Sequence, residues 1–299
     1  MGKIAFVFSG QGDQFAGMGK ELFEKYPVAK ETFELCERLR EGTLRQCFEG
    51  TADELKETKN TQPCLFAMEL SAFKTAVEAG IIPEAVAGFS LGEVVAATAS
   101  QVFTEAEGFS LVCKRGELMQ TEAEKFDTSM VAVVKLSNEQ VEECAAKFEN
   151  VYPVNFNCPS QVTCSGLTSE ITAFADEVKS AGGRAVPLKV KGAFHSPFMK
   201  EAAEKFRAEL DLADIKEMKI PLYSNKTAEV YSDNVTELLS SQICSPVKWE
   251  QIIRNMISDG FDTFVEIGPG RTLTNMIKKI DANVKVLTVF EALAEVENA

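Results

Sequence analysis

The chain has 299 residues, 45% of them hydrophobic, enough to bury one large domain or a domain carrying an insertion. Its formal net charge of -14, with no basic stripe to neutralise phosphates, argues against a nucleic-acid binder. No apolar run approaches the roughly 20 residues of a membrane span, and Ile4 to Phe8, preceded only by Lys3, is too short for a signal segment, so a cytosolic protein is expected.

The apolar run KIAFVF (3–8) predicts a central parallel strand that ends in Gly10-Gln11-Gly12. A dinucleotide fingerprint would need a third glycine where Phe15 stands. The loop serves either as a strand-to-helix turn or to bring a backbone N–H close to a reacting centre. Helices broken near Pro27 are expected from Met18 to Glu49, and another from Gln62 to Glu78, with Phe66, Leu70, Phe73 and Val77 at helical spacing.

Apolar residues from Ala85 to Phe89 read as the end of a buried strand, and Val94, Val95, Ala96, Ala97 and Ala99 as a helix of mostly small residues. Ser90 falls at their junction, inside Gly88-Phe89-Ser90-Leu91-Gly92. This G-x-S-x-G pattern fits a nucleophile elbow, in which a tight strand-to-helix turn exposes the serine oxygen and leaves no room for side chains two residues either side. The same pattern also arises by chance in Gly- and Ala-rich loops. An amphipathic helix with Arg115 inside it follows from Glu105 to Glu124.

From about Ser129 to Lys191 the rhythm changes. Strands at 130–134, 151–156, 161–165 and 185–190 alternate with helices at 138–148 and 169–181, and Pro153 places its strand at an edge or bulge. This βαββαβ order predicts a ferredoxin-like subdomain, residues 129–195, inserted into a larger α/β domain formed by 1–128 and 196–299. A cleft between the lobes is then the default ligand site. The body resumes with helices at 197–210, 235–243 and 249–258 and a short strand at 220–224. Next come a buried strand at 261–267, the turn Gly268-Pro269-Gly270, a helix at 272–280 and a last strand at 284–289. The acidic tail EALAEVENA is expected to be loose.

The eight cysteines are scattered without a C-x-x-C pair, which predicts free thiols in a reducing compartment, not a disulfide framework or zinc site. There is one histidine. If Ser90 needs an imidazole base, His195 must supply it, although a lone histidine more often serves a surface or a core.

Several ordered motifs sharpen this reading. FSGQGDQ (8–14), NTQP (60–63), GFSLGE (88–93), RGELMQ (115–120), NFNCPSQ (155–161), GAFHSPFM (192–199), QICSPVKW (242–249) and EIGPG (266–270) span almost the whole chain. The sequence thereby resembles the malonyl-CoA:acyl carrier protein transacylases of fatty acid synthesis and the related acyltransferase domains of polyketide synthases. The resemblance implies an α/β-hydrolase-like large domain with a parallel sheet. It implies Ser90 as nucleophile, His195 as its base, the backbone carbonyl of Gln242 as the group orienting the imidazole, and the N–H groups of Gln11 and Leu91 as an oxyanion hole.

Arg115 is implied to hold the free carboxylate of a malonyl group by two parallel charge-assisted hydrogen bonds; by position alone it reads as a solvated helix arginine. Phe194 resembles the bulky residue of members that prefer malonyl to methylmalonyl, Gln62 looks like a residue in direct contact with the substrate, and Asn155, Asn157 and Gln161 look like polar contacts to the thioester arm. Two positions depart from the family: Phe89 stands where histidine is usual, and Ser245 where many relatives have asparagine.

The implied reaction passes malonyl from coenzyme A to the phosphopantetheine thiol of acyl carrier protein through an ester on Ser90, with malonyl-CoA and the carrier as partners and no metal or redox cofactor. A hydrolase with the same dyad, or a silent acyl-CoA-binding subunit, remain the other classes. Arg184, Lys189, Lys191 and Lys248 are candidates for a positive mouth facing two acidic partners, or else scattered solubilising charge.

Overall fold

The structure, a computed structural model, describes residues 2–298. It is an α/β protein with one parallel sheet and a separate antiparallel sheet. The parallel sheet is built from β1 (Lys3–Phe8), β2 (Ala85–Gly88), β7 (Leu222–Tyr223), β8 (Phe261–Ile267) and β9 (Lys285–Thr288), in the order β7-β2-β1-β8-β9. Every adjacent pair runs parallel. The central strand β1 buries Ala5 to Phe8 completely, as expected of a strand covered on both faces.

Helices α1 (Lys20–Lys25), α2 (Pro27–Leu39) and α3 (Thr43–Glu49) lead to the long α4 (Thr58–Glu78). Pro27 opens α2 at its first position, where its missing N–H costs nothing. Helix α4 starts four residues before the expected Gln62, because Pro63 is accommodated in its second turn instead of beginning it. Helices α5 (Leu91–Ala99) and α6 (Glu105–Ala123) pack with α4 over the sheet. A capping box, Thr104 with Glu107, starts α6.

The antiparallel sheet comprises β3 (Thr128–Val134), β4 (Val151–Cys158), β5 (Gln161–Leu167) and β6 (Arg184–Lys191), in the order β4-β5-β3-β6. Helices α7 (Asn138–Ala145) and α8 (Thr168–Ser180) pack against it around an apolar cluster of its own that includes Val133, Val141, Val162, Phe174 and Val178. Strand β4 is an edge strand whose ladder shifts register between Pro153 and Asn155, since proline offers no N–H to a ladder. Its free side ties the small sheet to the body: Val247 N–H donates to Val154 O (2.8 Å) and Phe156 N–H to Val247 O (2.9 Å).

The chain continues through α9 (Lys200–Leu210), α10 (Val235–Ser241), α11 (Trp249–Ser258) and α12 (Thr272–Ile280). The expected loose tail is instead a helix, α13 (Val289–Glu297). Thr288 Oγ1 accepts from Glu291 N–H (3.2 Å), and the Glu291 carboxylate accepts from Thr288 N–H (2.8 Å). This capping box, with Val289, Ala292 and Leu293 buried, outweighs the acidic composition and shortens the last strand to Thr288. Among the described residues, no helix is long and apolar enough to cross a membrane.

Candidate active site

Ser90 sits between β2 and α5 with φ 56° and ψ -105°, a conformation that L residues adopt only when the surroundings enforce it. Two glycines permit it. A Cβ on Gly88 would lie 2.0 Å from the carbonyl carbon of Gly92, and one on Gly92 would lie 2.4 Å from Phe8 O. Asn225, on the loop after β7, fastens the turn: its Oδ1 accepts from Ser90 N–H (2.8 Å) while its amide donates to Gly88 O (2.5 Å).

The only histidine arrives from the end of the small sheet. His195 has φ 61°, and its N–H donates to Ile243 O (3.1 Å). Its Nε2 lies 2.7 Å from Ser90 Oγ, and its Nδ1 lies 2.9 Å from the Gln242 backbone carbonyl. A carbonyl can only accept, so Nδ1 carries the proton and Nε2 is left to take one from serine. Burial, aided by the nearby Arg115 cation, pushes the His195 imidazole down to about 4, which keeps it neutral at physiological pH.

Arg115, expected either in solvent or on a carboxylate, is fully buried on α6. Its Nη1 donates to Gln62 Oε1 (2.9 Å), and its Nη2 donates to Gln242 Oε1 (2.7 Å) and Ser90 Oγ (3.2 Å). All three acceptors are neutral, and Nε has no partner among the described residues. Burial lowers its pKa to about 10, so it remains a cation beside the serine.

Beside Ser90 and His195 lies a cavity of about 100 Å³ whose wall includes Gln11, Gln62, Leu91, Phe194, Met119 and Met130. It shares Gln11, Phe89, Asn155, Thr163 and Leu188 with a second cavity of about 200 Å³ that runs between the two sheets to Asp13 and Thr272. Asn157 and Gln161 line only this outer space. Asn157 Nδ2 donates to Thr163 Oγ1 (3.1 Å), whereas Asn157 Oδ1 and Asn155 Oδ1 are buried with no partner among the described residues. Gln161 Oε1 accepts from Lys279 Nζ (3.2 Å). Phe89, in place of the usual histidine, packs edge-on against Trp249 with ring centroids 5.5 Å apart. Arg184, Lys189 and Lys248 are exposed; the Lys191 side chain lies outside the described residues.

Three residues of the site escaped sequence reasoning: Glu93, Asn225 and Tyr231. Glu93 follows Ser90 by one helical turn and is fully buried. Its Oε1 accepts from Asn225 N–H and Tyr231 OH (both 2.8 Å), and its Oε2 accepts from Gln242 Nε2 (2.7 Å). Burial pushes this carboxyl up to about 7 against the pull of those three bonds. A lone acid among Leu91, Gly92, Val94, Val95 and Ala96 was the available signal.

Comparison with known proteins identifies the family. Residues 5–294 match the acyl transferase domain family. A malonyl CoA-acyl carrier protein transacylase of Bacillus subtilis is 38% identical over 297 residues, covering 97% of this chain and 94% of that protein. The crystal structure of a malonyl CoA-acyl carrier protein transacylase from Clostridium perfringens superposes with a TM-score of 0.95 at 35% identity, over 99% of this chain and 96% of that one. A malonyl-transacylase solved in complex with its type II polyketide synthase acyl carrier protein gives the same TM-score of 0.95 at 30% identity, over 99% of this chain and 100% of that one. With an elbow serine, a buried imidazole and relatives matched along nearly their full length, the chain belongs to the acyl transferase family.

Proposed function

We infer that this chain is a malonyl-CoA:acyl carrier protein S-malonyltransferase. The observation that carries this is the pairing at one oxygen: Ser90 Oγ lies 2.7 Å from a base and 3.2 Å from a buried arginine. The base makes the serine a nucleophile, and the cation selects an acyl group that ends in a carboxylate.

In the first half-reaction Ser90 Oγ attacks the thioester carbonyl as its proton passes to His195 Nε2. The N–H groups of Leu91 and Gln11 receive the oxyanion, each worth roughly 3 kcal/mol in other acyl transfers. The C–S bond then breaks, the coenzyme A sulfur takes the proton from His195, and a malonyl ester remains on Ser90. In the second half the phosphopantetheine thiol gives its proton to His195, attacks the ester, and leaves with malonyl as Ser90 recovers its proton. These steps use Ser90, His195 and backbone donors, and call for no cofactor.

Arg115 offers Nε and Nη2, adjacent donors on one edge of its fork, to the malonyl carboxylate, while Gln62 steadies Nη1. Phe194 limits room for a branch beside the carbonyl. The orphan acceptors of Asn155 and Asn157 suit the amide N–H groups of a pantetheine arm in the outer cavity, with Gln161 further along it. Exposed Arg184, Lys189 and Lys248 are suited to draw acidic partners to the mouth. The body reads as α/β-hydrolase-like by its elbow. Residues 129–195 read as a ferredoxin-like insertion between 1–128 and 196–299, supported by the strand order β4-β5-β3-β6 and a separate apolar cluster. Eight free cysteines suit a cytoplasmic setting.

The test is intact mass after mixing with malonyl-CoA, followed by addition of holo acyl carrier protein. Wild type should gain one malonyl group and hand it to the carrier, while Ser90→Ala should gain none and lose transfer by about 10⁴-fold or more. Free malonate released without the carrier, or no adduct on the wild type, would replace this reading with a hydrolase or a binding subunit.

A further inference from the structure

The Glu93 side chain reaches neither Ser90 Oγ nor the pocket lining, yet its bonds decide which way a neighbouring amide faces. Gln242 Nε2 donates at 2.7 Å to both Glu93 Oε2 and Ser90 O. A carboxylate and a carbonyl only accept, so the nitrogen end of this carboxamide must face them, and its oxygen must face Arg115 Nη2 at 2.7 Å. The reverse orientation would set amide donors against guanidinium donors. Glu93 is itself pinned by Asn225 N–H and Tyr231 OH, so it cannot turn away.

From this chain of bonds, and resting on the reading that Arg115 binds the malonyl carboxylate, we propose that Glu93 is a positioning residue for acyl selection: through Gln242 it fixes the guanidinium edge that Arg115 presents to the substrate. The same residue places negative charge near a cation whose direct acceptors are all neutral. The Gln242 main chain orients His195 and its side chain orients Arg115, so one residue serves both the base and the selector, and Glu93 acts on the second of these roles.

The test is a double-mutant cycle read as the ratio of malonyl to acetyl loading on Ser90, from kcat/KM for each thioester, assayed above about pH 7 so that Glu93 is ionised. Glu93→Gln keeps the shape but swaps an acceptor for a donor, so in either amide orientation a donor meets Gln242 Nε2 or Asn225 N–H. The ratio should fall about tenfold or more, chiefly through KM for malonyl-CoA. In an Arg115→Ala background the same change should move the ratio less than about twofold, because the group being positioned is gone. A milder variant, Tyr231→Phe, keeps the carboxylate and removes one of its bonds; it should lower the ratio about two- to fivefold and covers the case in which Glu93→Gln does not fold. The inference is overturned if malonyl and acetyl loading fall together in Glu93→Gln, if the effect persists at full size without Arg115, or if folded Tyr231→Phe keeps the wild-type ratio. If Arg115→Ala alone leaves the ratio unchanged, the Arg115 reading fails first and this one with it.

Discussion

On the body side of the cleft, buried polar groups around Ser90 are paired almost throughout: Glu93 accepts three bonds, Gln242 uses its carbonyl and both ends of its amide, and Asn225 clamps both sides of the elbow. On the small-sheet side, Asn155 Oδ1 and Asn157 Oδ1 are buried without partners among the described residues. An unpaired buried acceptor costs about 1–3 kcal/mol, so a fold carries one only where something else repays it. The paired wall holds the proposed nucleophile and base in strained positions, Ser90 and His195 both at positive φ, while the unpaired wall is suited to donors that arrive with a substrate. Body-side orphans exist too, Asp13 Oδ2 and Trp249 Nε1 among them, but the one beside the serine is Arg115 Nε, on the residue proposed to grip the acyl carboxylate.

The largest break in this contrast comes from the base. His195→Ala should slow Ser90 acylation about 10³- to 10⁴-fold in a rapid-quench mass assay, because no second imidazole exists to replace it. The wild-type pH profile sharpens the same point. The folded His195 pKa of about 4 lies below the ordinary imidazole value of about 6.5, so the imidazole is neutral over the physiological range; acylation should hold level down to about pH 5 and fall as pH drops through 4. The unfolded chain binds this proton first, so between about 6.5 and 4 acidification should also erode stability, which a melting series would record. A break in rate near 6.5 would mean that His195 is solvated during turnover.

Next in size is Arg115→Lys. It keeps the charge but loses the planar fork, and lysine cannot satisfy Gln62 and Gln242 while gripping a carboxylate by two bonds. Malonyl-CoA kcat/KM should drop on the order of 100-fold, with acetyl loading changed far less. Asn157→Ala tests the opposite wall and should be gentler: KM for malonyl-CoA should rise about three- to tenfold, with the malonyl-to-acetyl ratio unaltered, because only the shared arm loses its acceptor. A change in that ratio would erase the division of labour between the walls.

How much of this was readable beforehand follows the range of the forces involved. Trp249–Ser258, Phe261–Ile267 and Thr272–Ile280 match their sequence-based bounds because local periodicity and the Gly268-Pro269-Gly270 turn mark them. The dyad was legible because one histidine left one choice. The Glu93 network was not: its bonds to Asn225, Tyr231 and Gln242 join residues 132, 138 and 149 positions apart, and no local pattern encodes them. Arg115 was ambiguous for a related reason, since helical spacing cannot say whether a basic residue faces water or a buried serine. The tail was misread for the opposite reason, because its signal was local but composition spoke louder. Thr288 and Glu291 form a capping box ahead of the apolar Val289, Ala292 and Leu293.

That tail supplies the smallest effect on chemistry and the control for the others. Thr288→Ala removes the side-chain acceptor that Glu291 N–H uses, which should cost about 1 kcal/mol and lower the melting temperature by a few degrees. Helix α13 packs on β9, β8 and α4, away from Ser90 and both cavities, so kcat, KM and the malonyl-to-acetyl ratio should all stay at wild-type values below the melt. If this loss of stability did shift the ratio, selection would depend on global rigidity, and changes seen in the Asn157 and Arg115 variants could no longer be assigned to one wall of the cleft.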